Sequence, residues 1–197
     1  NHTPSPVSIL FNIDTKPPSL VVESHSPNLV RETWRVEFHC SETPCSSLCA
    51  FGEAGFEPCT SPQTFGSLGN GSHVLRLRAQ DAAGNRSLAD ERLDFTVDNI
   101  APNTAILTGP ALLGSETSAE FRFTCSEGDC HYGCVLDESA VECGVESTFR
   151  DLSFGAHTLK VVAIDAAGNT DPAPAVFRWT IANPESPSTT WKQFSVG

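Results

Sequence analysis

Methionine is absent from the 197 residues, tyrosine occurs once, and only 12 bases stand against 24 acids. The shortage of methionine and tyrosine beside 14 glycines and 14 prolines argues against a helical bundle and for a turn-rich β protein. The net charge of −12 sets the chain against phosphates, which excludes nucleic acid and an anionic membrane surface as partners. No stretch approaches the roughly 20 apolar residues that cross a bilayer, so no membrane insertion is expected. The opening Asn1-His2-Thr3-Pro4 has neither a basic nor an apolar region, and neither signal peptide nor anchor is expected. The sequence also lacks a Gly-x-Ser-x-Gly elbow, a His-Glu-x-x-His helix and a phosphate-cradling loop, so no catalytic residues and no enzyme activity are expected. What is present is 39% apolar and 18% charged, enough to bury a core.

Eight cysteines fall in two groups of four, an even count that in small β modules means disulfides and an oxidising compartment. The sequons at Asn1, Asn70 and Asn85 are expected to carry glycans and point the same way, so the chain is expected outside the cell or on its surface.

The sequence repeats. His73 to Asn85 and His157 to Asn169 lie 84 positions apart and share eight of thirteen residues. The cysteines follow at offsets of 85, 85, 85 and 84, pairing Cys40 with Cys125, Cys45 with Cys130, Cys49 with Cys134 and Cys59 with Cys143. Phe11, Phe95 and Trp179 each open an aromatic-x-aliphatic pair ten residues after Asn1, Asn85 and Asn169. Four segments follow: 1–16 as the closing strand and linker of a preceding repeat, 17–101 and 102–184 as two four-cysteine repeats, and 185–197 as the start of another.

Within a repeat, apolar and polar residues alternate with the strand period. Trp34, Val36, Phe38 and Cys40 face inward, with Arg35, Glu37 and His39 outward, and Ala119, Phe121, Phe123 and Cys125 repeat the pattern. Leu75, Leu77 and Ala79 are inward on a later strand, as are Leu159, Val161 and Ala163, and the closing strands bury Leu93, Phe95, Val97 or Phe177, Trp179, Ile181. Some seven short strands in about 84 residues fit an all-β chain of tandem immunoglobulin-like antiparallel sandwiches set end to end.

Structural zinc sites draw on closely spaced C-x2-C pairs, which neither repeat has, so disulfides are expected over zinc. Pairing inside a repeat leaves three connectivities, of which consecutive pairing closes short local loops. Asp81-Ala-Ala-Gly-Asn85 and Asp165-Ala-Ala-Gly-Asn169 read as structural turns, glycine and asparagine supplying positive φ and aspartate accepting backbone amides. Asp81, Asp98 and Asn99 are also calcium candidates, with Asp14 and Asp165 near the same linkers, but calcium takes six to eight oxygens and the second linker carries Ala182 in place of the acid. No metal or other cofactor is therefore favoured. His73 and His157 hold equivalent pre-strand positions and read as structural. Val162 and Ile164 replace Arg78 and Gln80 on the outward face, marking a protein contact or a place covered by a neighbouring loop.

The run from Cys49-Ala-Phe-Gly-Glu to Cys59-Thr-Ser-Pro62, with Leu68, Gly71-Ser-His73, the Asp-Ala-Ala-Gly-Asn turn and the aromatic-x-aliphatic-Asp closing strand before Pro102, resembles tandem bacterial-Ig-like repeats of large extracellular surface proteins. A fainter similarity to cadherins lies in Ala79-Gln80-Asp81 and Asp98-Asn99-Ile100-Ala101-Pro102, without a second linker Asp-Asn pair or an Asp-Arg-Glu triplet. The resemblance implies immunoglobulin or fibronectin III sandwiches acting as spacers or adhesive modules, and it implies Cys49–Cys59 and Cys134–Cys143 pairing, with Cys40–Cys45 and Cys125–Cys130 as an added pair. The expectation is a structural or adhesive array of a large extracellular glycoprotein of a filament, cell wall, matrix or ciliary surface. Its partners would be neighbouring repeats and other proteins of that assembly. The alternatives are a ligand-binding receptor ectodomain and an accessory module of a secreted polysaccharide-active enzyme.

Overall fold

The computed structural model describes residue 10 and residues 12–185. The chain divides into two units, Asn1–Asn99 and Ile100–Gly197. In the first, strands β1 (Leu20–His25), β2 (Leu29–Val30), β3 (Thr33–Cys40), β4 (Cys45–Phe51), β5 (Glu57–Cys59), β6 (Gln63–Gly66), β7 (Gly71–Asp81) and β8 (Glu91–Val97) follow one another. They form a three-stranded sheet ordered β1-β3-β6 and a five-stranded sheet ordered β2-β8-β7-β4-β5.

The second unit contains β9 (Thr104–Thr108), β10 (Leu113–Gly114), β11 (Ala119–Cys125), β12 (His131–Leu136), β13 (Ser139–Val141), β14 (Glu146–Phe149), β15 (Gly155–Ile164) and β16 (Ala175–Ile181). Its sheets are β14-β11-β9 and β10-β16-β15-β12-β13, the same topology at the repeat offset. Among the described residues each unit thus has eight strands where some seven were expected. The additional one is the two-residue β2 or β10, whose pairing with β8 or β16 is parallel, not antiparallel. Two residues carry too little alternation to stand out in a sequence.

The alternating positions become the interiors. Trp34, Val36, Leu75, Leu77, Phe95 and Val97 fill one core, and Phe121, Phe123, Leu159, Val161, Trp179 and Ile181 fill the other. The two cores reach similar fillings by opposite routes. In unit 1 Trp34 on β3 stacks face to face on Phe95 of β8, ring centroids 4.3 Å apart. At the equivalent places unit 2 has Ala119 and Trp179, and the lost volume is restored by Phe121 and Phe177 where unit 1 has Val36 and Leu93. Phe121 meets Phe177 and Trp179 edge-on, each at 5.4 Å. The larger rings dictate Gly109, because a Cβ there would lie 2.9 Å from both Phe121 and Phe177.

Phe11 lies outside the described residues, and Asn12–Asp14 carry no strand pairing. Asn1 and the segment 186–197, which contains nearly all of the expected following repeat, also lie outside them.

Candidate functional site

The disulfides are Cys40–Cys45, Cys49–Cys59, Cys125–Cys130 and Cys134–Cys143. Cys40 ends β3 of the smaller sheet and Cys45 opens β4 of the larger one, so the first bridge clamps the corner where the chain changes sheets. Cys49–Cys59 ties β4 to the edge strand β5. A bridge of this kind contributes about 2 to 4 kcal/mol, with the short loops at the low end.

The two Asp-Ala-Ala-Gly-Asn turns are built alike. Asp81 accepts from the Asn85 backbone N–H at 2.8 Å and from Asn85 Nδ2 at 2.8 Å, while the Asp81 N–H donates to the Asn85 carbonyl at 3.1 Å. Asp165 and Asn169 repeat these bonds at 2.8, 2.7 and 3.0 Å. Burial pushes the Asp81 carboxyl up, but the hydrogen bonds from Asn85, Ala83 and Gly84 outweigh it and hold its pKa below the usual value. Gly84 at φ 91° and Gly168 at φ 90° supply the left-handed residue before each asparagine.

Three carboxylates, from Asp14, Glu42 and Asp81, each bring one oxygen within 4.8 Å of the others. One oxygen from each makes three, against the six to eight that calcium takes. Asp81 already accepts twice from Asn85, and Asp14 Oδ1 accepts from the Lys16 N–H at 2.9 Å. Of the other candidates, Asp98 is half-buried. Asn99 has its oxygen committed, accepting from the Glu32 N–H at 2.9 Å, and its own N–H donates to Asn70 Oδ1 at 2.9 Å, so it fastens the end of unit 1. Sequence reasoning missed Glu42, although Glu42 and Glu127 recur 85 positions apart, each two residues past a cysteine.

The sequons differ in geometry. Asn70 is exposed, and its Nδ2 makes no hydrogen bond among the described residues. Asn85 Nδ2, the atom a glycan would occupy, donates both to Asp81 Oδ2 and to the Asp14 carbonyl, and a sugar would displace one of those hydrogens. Intact-glycopeptide mass spectrometry of native protein should find sugar on Asn70 and bare Asn85. Equal occupancy of the two would contradict the reading of the Asp81 clamp.

The histidines also diverge. His73 donates from Nε2 to the Gly69 carbonyl at 2.7 Å. His157 makes the equivalent bond from Nε2 to the Ser153 carbonyl at 2.8 Å, and its Nδ1 lies 2.6 Å from Asp137 Oδ2. With an acceptor at each nitrogen, only the imidazolium satisfies both. Burial pulls the His157 pKa down, yet the bonds to Asp137 and Ser153 and the Asp137 charge prevail and raise it. Asp137 has a lowered pKa for the reciprocal reason, burial being outweighed by His157 and by the Thr158 N–H that donates to Oδ1 at 2.8 Å. Asp137 sits at φ 47° where unit 1 has Gly52 at φ 58°, so a left-handed position natural to glycine is given to a carboxylate.

The sign of the pH effect follows. A histidine whose folded pKa lies above its unfolded value, about 6.5, stabilises fully below that value and loses the contribution as pH rises through the folded pKa. Backbone hydrogen exchange in β15 should therefore show protection falling as pH rises above about 6.5, after correction for intrinsic exchange. Asp137→Gly, which restores the unit-1 residue, should remove that dependence; persistence of the slope would contradict the assignment.

Sequence reasoning also missed Asp171, buried and accepting from the Thr104 N–H at 2.6 Å and the Ala173 N–H at 2.8 Å. Thr104 Oγ1 in turn accepts from the Ala163 N–H at 2.8 Å, which fastens β9 to β15. Unit 1 has Ser87 at the equivalent place, so only a departure from the repeat marked it. Val162 and Ile164 are half-buried, not exposed: they stand opposite Gly133 and His131 of β12, and a Cβ on Gly133 would lie 3.1 Å from Val162 Cγ2.

Repeated polar residues that close turns inside paired sheets, with bridges at the corners, define an all-β protein of tandem immunoglobulin and fibronectin III-type sandwiches. The chain is similar to the fibronectin(III)-like modules of Clostridium thermocellum CbhA, at 13% identity and TM-score 0.53 over 83% of this chain and 94% of that one. It also matches a structure bearing on the host cell surface retention of a 1.5-MDa bacterial ice-binding adhesin, at 9% identity and TM-score 0.45, covering 86% of this chain and 66% of that one. The FN1–FN3 domains of chicken CNTN1 match at 11% identity and TM-score 0.47, covering 85% and 66%. No family model matches the sequence, and neither does any curated protein. No helix among the described residues is long and apolar enough to cross a membrane.

Proposed function

We propose that the chain is a stretch of structural or adhesive modules from a large extracellular glycoprotein, serving as spacer and as protein contact surface in an assembly such as a filament, wall or matrix. The observation that carries this reading is the duplication of two disulfides in each sandwich, at the same corner and the same edge. Such bracing suits small modules in an oxidising compartment. The polar groups that recur between repeats are engaged in closing turns, which supports a mechanical role over chemistry on a substrate. Hydrogen bonds already hold Asp81 and Asn99 in place, so no metal is needed to order them in this reading, and chelation should leave the unfolding temperature unchanged.

An antibody raised against the purified chain tests the location. It should label intact, unpermeabilised source cells or the matrix around them. Labelling that requires permeabilisation would contradict the proposal.

A further inference from the structure

One groove breaks the symmetry between the units. It lies on the outer face of the larger sheet of unit 2, measures about 510 Å³, and is floored by Val135 with Lys160, Arg178 and Thr158 around it. Thr158 stands directly opposite Arg178 on β16 and Lys160 opposite Val176, so the two cations are diagonal neighbours on one sheet face. Neither has an ion-pair partner among the described residues. Asp137 borders the same groove but spends its oxygens on His157 and the Thr158 N–H, leaving nothing directed at the cations.

The equivalent surface of unit 1 is closed to such a ligand. Arg76, at the place of Lys160, donates to the carbonyls of Gly52 and Ala54, and its guanidinium lies 5.4 Å from the Phe56 ring centroid. Asp94, at the place of Arg178, is paired with Arg92 at 2.6 Å. The same two positions carry a carbonyl-bound arginine and an ion-paired aspartate in one unit and two cations without an ion-pair partner among the described residues in the other, although the chain as a whole is strongly acidic.

We propose that this groove binds a carboxylate-bearing sugar residue, the carboxylate seated between Lys160 and Arg178 and the ring hydroxyls on Thr158 and Glu138. An arginine and a lysine on one face suit a single carboxylate, the guanidinium offering a fork and the ammonium a point charge. Glu138, also on the rim, accepts only, so it welcomes hydroxyl donors and repels further carboxylates. An acidic peptide would bring several carboxylates and meet that repulsion, whereas an acidic sugar brings one per ring with donors beside it. Val135 and the aliphatic stem of Lys160 provide the apolar floor on which a sugar ring rests. This inference concerns unit 2 alone and does not depend on the extracellular assembly proposed above.

The test is titration of the full chain with a glucuronate tetramer, with the same tetramer carboxyl-reduced to its neutral form, and with tetraglutamate, read by amide chemical shifts of β15 and β16. The acidic tetramer should shift residues around Lys160 and Arg178, while the neutral tetramer and tetraglutamate should not. Lys160→Gln and Arg178→Gln should each weaken binding by about ten- to a hundredfold, the worth of one charge-assisted hydrogen bond, with the circular dichroism melt unchanged to show that the fold persists. Lys16→Gln, outside the groove, should bind as the parent does. Equal shifts with the neutral tetramer, tighter binding of tetraglutamate, or full affinity in both groove variants would each overturn the proposal.

Discussion

Replacing Trp34 with alanine is expected to cost unit 1 about 3 to 5 kcal/mol, the range for an aromatic removed from a packed core. Trp34 is fully buried, stacks on Phe95 at 4.3 Å, contacts His25 and Phe65, and donates its indole N–H to the Pro27 carbonyl at 3.1 Å. Removing it opens a cavity against β8 and leaves that carbonyl without its donor. Hydrogen exchange should record the loss as at least about a hundredfold fall in protection of the β7 amides. Protection in β15 should not change, because Leu159 and Val161 belong to the separate core of unit 2. A fall in both would contradict the division into two cores. Moving unit 1 to the unit-2 pattern needs more than exchanging Trp34 and Phe95. It also requires phenylalanine at Val36 and Leu93 and glycine at His25, the counterpart of Gly109.

The second large effect belongs to the turn of unit 2. Asp165→Ala removes a buried carboxylate that accepts from the backbone and the side chain of Asn169, both of them buried. Charge-assisted bonds contribute about 1.5 to 3 kcal/mol each, and relief of the buried charge returns part of the loss, so the expected cost is about 3 kcal/mol. Asp165→Asn keeps one acceptor and should fall between alanine and the parent. Urea denaturation decides the order. An alanine variant within about 0.5 kcal/mol of the parent would mean the clamp is decorative.

The sequence disclosed the fold wherever the repeat and the strand period coincided. Trp34-x-Val36-x-Phe38 and its counterpart Ala119-x-Phe121-x-Phe123 have the period of a half-buried strand, and all six residues are buried. What escaped were features shorter than a period or confined to one copy. Leu29–Val30 is a two-residue parallel strand with no pattern to read. Asp137 became legible only once φ was known, since the sequence does not show that its place is the left-handed one held by Gly52 in unit 1. The exchange of Trp34 and Ala119 against Phe95 and Trp179 was open to inspection at the repeat offset, but its meaning depends on which side chains meet across the sheets. Val162 and Ile164 looked like an exposed apolar pair because alternation assigns a face and says nothing about the height of neighbours.

Non-reducing peptide mapping of the native protein, with zinc and free thiols quantified in the same sample, tests the central account of disulfide-braced modules most directly. The expected result is four links, Cys40–Cys45, Cys49–Cys59, Cys125–Cys130 and Cys134–Cys143, with no free thiol and no zinc. A link between the two groups of cysteines, or stoichiometric zinc on reduced thiols, would contradict it.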